Sequence, residues 1–202
     1  MVKRKWRNPI DSVYHYEDKQ GTRLKRSLPK YHDPGFPHFV TSVVEGRAPI
    51  FRDGGNAQVV LEMLGFYRVR YGFRLLGYVV MPEHLHAVIL PSSHATISVI
   101  MREVKKRSSQ RFLSDWKRDQ REGLLSQFRS ERRDGEISYR VWQEGFYDFN
   151  IKGRDTLREK LVYMHNNPVV KGLVVRPEDY SYSSAGCYAK DEPGLLPVDK
   201  MM

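Results

Sequence analysis

Residues 77–91, GYVVMPEHLHAVILP, constrain this chain more than any other stretch. Two short apolar runs, 78–81 and 85–90, are separated by Pro82 and Glu83. Runs of this length on either side of a proline turn predict two buried strands joined tightly. Set into the start of the second strand are His84 and His86, with one apolar residue between them. Side chains on a strand repeat every second residue, so both imidazoles leave the same face, roughly 7 Å apart along the chain. Two such rings could share one divalent cation if a third ligand came from elsewhere. By spacing alone they read first as two ordinary histidines bonded to nearby backbone, and only context changes that.

Around this hairpin there is enough chain for one domain with a core and extensions: 202 residues, 40% hydrophobic and 12% aromatic. No apolar run approaches the roughly 18 residues of a membrane span, which argues against a membrane role. The single Cys187 excludes an internal disulfide and fits a reducing, cytoplasmic setting. The formal charge of +10 favours polyanionic partners. Nine Lys or Arg against three acids put +6 of that charge in the first thirty residues. Residues 1–35 therefore read as a basic arm, which is either a solvated charge run or a contact for phosphates.

In chain order, residues 37–44 predict a first strand. Asn56 is placed to cap a helix to Tyr71, with Val59, Val60, Met63, Leu64 and Tyr67 on one stripe. Strands at 73–81 and 84–90 follow, then a second helix over 96–116. Its apolar stripe is Ile97, Ile100, Met101, Val104 and Phe112, with Arg102, Lys105, Lys106 and Arg111 facing away. Residues 115–136 form a charge-balanced insertion. A fourth strand lies within 139–151, and a third helix runs over 155–167 to a stop at Pro168. Residues 189–202 are a tail. The order strand, helix, strand, strand, helix, strand, helix is a split β-α-β pattern. It predicts a single α+β domain over 36–188: a ferredoxin-like antiparallel sheet with helices on one face.

On the third helix, about 100° per residue gathers Leu157, Leu161 and Met164 into a core stripe and turns Tyr163 about 200° from Leu161. Asn167 stands one turn on, beside Tyr163. A tyrosine so placed could simply pack under a neighbouring loop. Combined with a metal-binding histidine pair it could instead attack a phosphodiester, leaving a phosphotyrosine that conserves the ester for rejoining. With a reference pKa of about 10, the phenol needs help to lose its proton, and either a metal-bound hydroxide or a nearby Lys could take it.

These residues resemble those of a known family, the HUH single-tyrosine transposases, and within it the REP-associated branch. The resemblance is carried by Met81-Pro82-Glu83-His84-Leu85-His86, by Tyr163-Met-His-Asn-Asn167-Pro168-Val169, by Lys171-Gly-Leu-Val and by the stretch from Pro177 to Ser184. Shorter matches include Val40-Thr41, Gly46-Arg47 and Trp142-Gln143. The resemblance implies a Mg²⁺- or Mn²⁺-dependent nick in single-stranded DNA beside a hairpin, through a 5′-phosphotyrosine at Tyr163. It matches His84 and His86 to the metal pair and Asn167 to the position that completes the metal site. It also makes the arm and Arg102, Lys105, Lys106 and Arg111 candidates for DNA contact, and leaves monomer and homodimer both open. Tyr180 and Tyr182 could stack on bases or pack the tail onto the sheet. A non-catalytic nucleic-acid-binding protein on the same fold is the alternative. A phosphodiesterase with the two histidines as acid and base would want them opposed, not on one strand.

Overall fold

The computed structural model describes residues 35–131 and 134–201, so the basic arm, but for its last residue, lies outside the described residues. The apolar runs form the predicted hairpin. β2 (Arg74–Met81) pairs antiparallel with β3 (His84–Leu90), Met81 opposite His84 across the turn at Pro82 and Glu83. β1 (His38–Val43) pairs antiparallel with the other edge of β3, and the short β6 (Tyr147–Asn150) pairs antiparallel with β1. The sheet order is therefore β2-β3-β1-β6. Helix α1 (Gly54–Tyr71) connects β1 to β2, and α2 (Ile97–Arg118) lies between β3 and β6. The result is a mixed architecture of helices on an antiparallel sheet, as the element order predicts.

Strand alternation divides the core in two. Val40, Tyr78, Val80, Leu85, Ala87 and Ile89 point to one face, where α1 and α2 cover them. Phe39, Val79, Met81 and Val88 point to the other, where they meet Met164 of α4 (Arg154–Val170). The two crossover helices share one face as expected, while the C-terminal helix occupies the second. Periodicity within a helix says which stripe is apolar, not which side of a sheet receives it.

Several local expectations are corrected. Asp53, not Asn56, caps α1: its carboxylate accepts from Gly55 N–H, while Asn56 sits in the first turn and donates to the Ile50 carbonyl. At the start of α2, Thr96 is the cap, its hydroxyl accepting from Val99 N–H. Pro168 does not stop α4, which continues to Val170. A proline near a helix end removes one N–H, and the neighbouring bonds from Lys171 N–H to Asn167 O and from Leu173 N–H to Pro168 O close the last turn around it.

The insertion is structured. It carries α3 (Glu122–Phe128) and a two-stranded ribbon, β4 (Arg129–Glu131) with β5 (Ile137–Tyr139). Trp116, Leu125 and Phe128 bury their side chains in the main core, so the charged exterior of this segment hides an apolar anchor.

The chain after α4 packs onto the free edge of β2. Val80 N–H donates to Tyr182 O and Ser184 N–H to Tyr78 O, extending the sheet. The Tyr180 hydroxyl donates to the Val80 carbonyl at 2.9 Å, and Tyr182 packs against the main core. Of the two roles open to these tyrosines, the structure takes packing. Ser184 Oγ lies 2.9 Å from Tyr78 N, 3.2 Å from Tyr78 O and 2.8 Å from His165 Nε2, so one hydroxyl ties the tail, β2 and α4 together. Helix α5 (Ala185–Ala189) completes this corner with the buried Cys187.

Candidate active site

The second face of the sheet brings His84, His86 and Tyr163 together. His84 and His86 leave β3 on the same side, as the period of two requires. Their rings do not stand apart at the strand spacing: they lean together, with ring centroids at 4.6 Å and the two Nε2 atoms at 3.1 Å. Both are buried. His86 is held from β1, its cross-strand neighbour. Thr41, directly opposite in the register, sets Oγ1 2.7 Å from His86 Nδ1, and Phe39, two residues before, stacks on the ring at 5.1 Å. Burial, with the nearby His84 adding to it, pushes His86 well below the usual imidazole range, so the ring is neutral at physiological pH.

His84 has a different neighbour. Its Nδ1 lies 3.2 Å from Glu83 Oε1, at ion-pair distance but outside hydrogen-bond alignment. The His84 imidazole is the main influence holding the Glu83 carboxyl below its ordinary range, against burial, with Lys171 and Arg47 adding to it. Arg47 approaches the same carboxylate at 3.9 Å. It does so from a left-handed backbone conformation (φ 53°) that follows Gly46 at φ 61°.

Tyr163 arrives on α4. Its ring centroid lies 5.8 Å from that of His86 and 6.0 Å from that of Phe39, both edge-on. The helical wheel places it away from the core stripe. In the structure it is half-buried and packs with Leu157 and Leu161 against the same cluster. Its 100° offset from Met164 is small enough that a helix lying flat on the sheet brings the flank of its stripe into contact. Asn167, one turn on, donates from Nδ2 to the Tyr163 carbonyl at 3.2 Å, which makes Oδ1 the atom suited to a cation.

The donor set fits a divalent ion. Two cis ligands at about 2.1 Å from one cation are about 3.0 Å apart, close to the 3.1 Å observed between the two Nε2 atoms. Among the described residues no group of three His, Cys, Asp or Glu could hold a metal. The Asn167 amide offers a neutral oxygen, a hard donor of the kind such an ion takes.

The basic residues of α2 are placed less simply. Lys105 is half-buried, and its ammonium donates to the carbonyls of Gln143, at 2.6 Å, and Gly145, binding α2 to the segment before β6; burial pulls its pKa down to about 8. Arg102 pairs with Glu103 and Arg111 with Asp115 on the surface. Lys106 lines a groove of about 290 Å³ with Ser109, Arg140, Trp142 and Gln143. Thr41 and Phe39 are the site residues that sequence reasoning left without a role. The available signals were their shared strand face and the family match at Val40-Thr41, and strand register was needed to turn them toward His86.

Comparison with known proteins agrees with this fold. The family model described as "Transposase IS200 like" matches residues 36–167. A REP-associated tyrosine transposase of Escherichia coli (strain K12) is 26% identical over 129 residues, 63% of this chain and 62% of that protein. The match thus spans less than two thirds of that curated relative. A solved REP-associated tyrosine transposase bound to a REP hairpin superposes with a TM-score of 0.62 at 20% identity, covering 87% of this chain and 98% of that one, a likeness of fold.

Proposed function

The chain belongs to the IS200-like transposase family, and from that premise we propose that it nicks and rejoins single-stranded DNA with Tyr163 as nucleophile. The observation that carries this reading is the contact between Tyr163 and His86 within one chain, at 5.8 Å between ring centroids. Both rings come from the same chain. The Tyr163 oxygen attacks phosphorus, a Tyr–O–P bond forms as the P–O3′ bond breaks, and the phenolic proton ends on the departing 3′ hydroxyl. The 5′ phosphate stays on the tyrosine until a 3′ hydroxyl reverses the step.

His84 and His86 would hold Mg²⁺ or Mn²⁺ through their Nε2 atoms, with Asn167 Oδ1 as a third ligand. Such an ion, when bound, supplies Lewis-acid neutralisation of the phosphate oxygens. Phe39, stacked on His86 and edge-on to Tyr163, closes the apolar side of the site and keeps both rings oriented.

The substrate we assign is hairpin DNA with a flanking single strand, extending to this chain what its structural relative is bound to. Lys106 and Arg140, at the rim of the groove beside Gln143, are candidates for backbone phosphates. Arg102 and Arg111 would contact DNA by exchanging their surface carboxylates for phosphate. Lys105 would contribute charge from behind, its ammonium remaining on the two carbonyls.

The test is a denaturing gel of labelled hairpin DNA with single-stranded flanks, incubated with protein and Mn²⁺. DNA that migrates with wild-type protein, requires the metal and disappears in Tyr163→Phe supports the reading. A full yield of cut DNA from Tyr163→Phe overturns it. Tight binding with no adduct across many hairpins would favour a non-catalytic binder.

A further inference from the structure

A neutral imidazole carries one hydrogen, on Nδ1 or on Nε2, and only the nitrogen without it can bind a cation. For His86 this choice is made away from the site. Nε2 faces His84 Nε2 at 3.1 Å, and Nδ1 faces Thr41 Oγ1 at 2.7 Å. Both residues are fully buried, so no bulk water competes for either nitrogen. The register pairs Thr41 with His86 directly across β1 and β3, and Phe39 stacks on the ring from the same strand face.

We propose that Thr41 is a positioning residue that holds His86 as the Nδ1–H tautomer, keeping the Nε2 lone pair turned toward His84. The hydroxyl accepts the Nδ1 hydrogen. Were it to donate instead, the ring hydrogen would sit on Nε2, between the two histidines, where it would exclude a cation. Phe39 adds the second constraint: stacking on one side opposes the ring flip that would put carbon where each nitrogen stands. The strand thus supplies the orientation that outer partners of metal-binding histidines commonly supply. The consequence for cation binding rests on the function proposed above; the tautomer does not.

Two-bond ¹H–¹⁵N correlation spectra of the metal-free full chain read the tautomer directly, and calorimetric titration with Mn²⁺ alone reads the consequence. Wild type and Thr41→Ser, which keep a hydroxyl, are expected to show His86 with hydrogen on Nδ1 and to bind Mn²⁺ alike. Thr41→Val, close in shape but without the hydroxyl, is expected to lose that tautomer and to weaken Mn²⁺ binding by roughly 10–100-fold. A wild-type His86 with hydrogen on Nε2 overturns the proposal, and so does a Thr41→Val protein with unchanged tautomer and affinity. If Thr41→Val fails to fold, the wild-type spectrum still decides. A wild type that ignores Mn²⁺ yet shows the Nδ1–H tautomer, lost in Thr41→Val, overturns the metal reading while the assignment to Thr41 stands.

Discussion

The rings of Tyr163 and His86 lie 5.8 Å apart at an interplanar angle of 61°, although 77 positions separate them in sequence and they belong to different layers of the fold. His86 is part of the sheet; Tyr163 belongs to a helix that lands on the face opposite the crossover helices. The predictions below concern what holds those layers in register and what the histidine pair does there.

Replacing His84 or His86 with Ala is expected to remove Mn²⁺ binding, by more than the roughly 10–100-fold typical of an outer partner. Calorimetric titration of each variant checks this. Wild-type affinity in either variant would mean that the facing Nε2 atoms are not a cation site.

Phe39 touches both His86 and Tyr163. Phe39→Leu keeps an apolar side chain but loses ring stacking, at an expected stability cost of about 1–2 kcal/mol. The rate of adduct formation per folded molecule should fall further than stability does. Equal adduct rates at equal folded concentration would show that Phe39 merely fills space.

Gly77 faces α4 beside the irregularity in the β2 pairing. A Cβ there would come within 2.6 Å of Leu161 Cδ2 and closer still to Met164 Cε. Both are flexible tips, so Gly77→Ala is expected to shift α4 rather than unfold the protein, costing about 1–3 kcal/mol. Urea melts measure that cost. Because Tyr163 adjoins Met164, adduct formation should drop by more than the melts account for.

Burial pushes the Tyr78 phenol up to about 12, partly offset by the hydrogen bond from Leu196 N–H. The folded state therefore prefers the protonated phenol. This contribution is fully present below pH 10 and is lost as pH rises through about 12, a loss of about 3 kcal/mol for this one group. Tyr180 and Tyr188, also raised to about 12, act in the same direction. Wild type should lose more stability than Tyr78→Phe between pH 10 and 12 in denaturant titrations; parallel declines would contradict this.

Local chemistry was legible where it depends on neighbours in sequence. Pro82 and Glu83 between two apolar runs announce the hairpin, and a period of two puts both histidines on one face. It misled where two residues competed for one local role. Asp53 and Asn56 can both cap a helix, and the backbone turn at Ile50, which takes the Asn56 amide, decided for Asp53. Lys105 reads as a surface cation by its spacing, yet the carbonyls that receive it come from residues 143 and 145.

By itself, then, the sequence determined the four strands of the main sheet, the three long helices and the candidate chemistry of His84, His86, Tyr163 and Asn167, because these depend on periodicity and side-chain type. Only the tertiary structure decided that α4 covers the second face, that Thr41 and Phe39 stand against His86, and that Tyr163 reaches it. Those are contacts across a sheet and between layers. They are set by strand register and by which apolar surfaces can be buried together, and neither is written in any single segment.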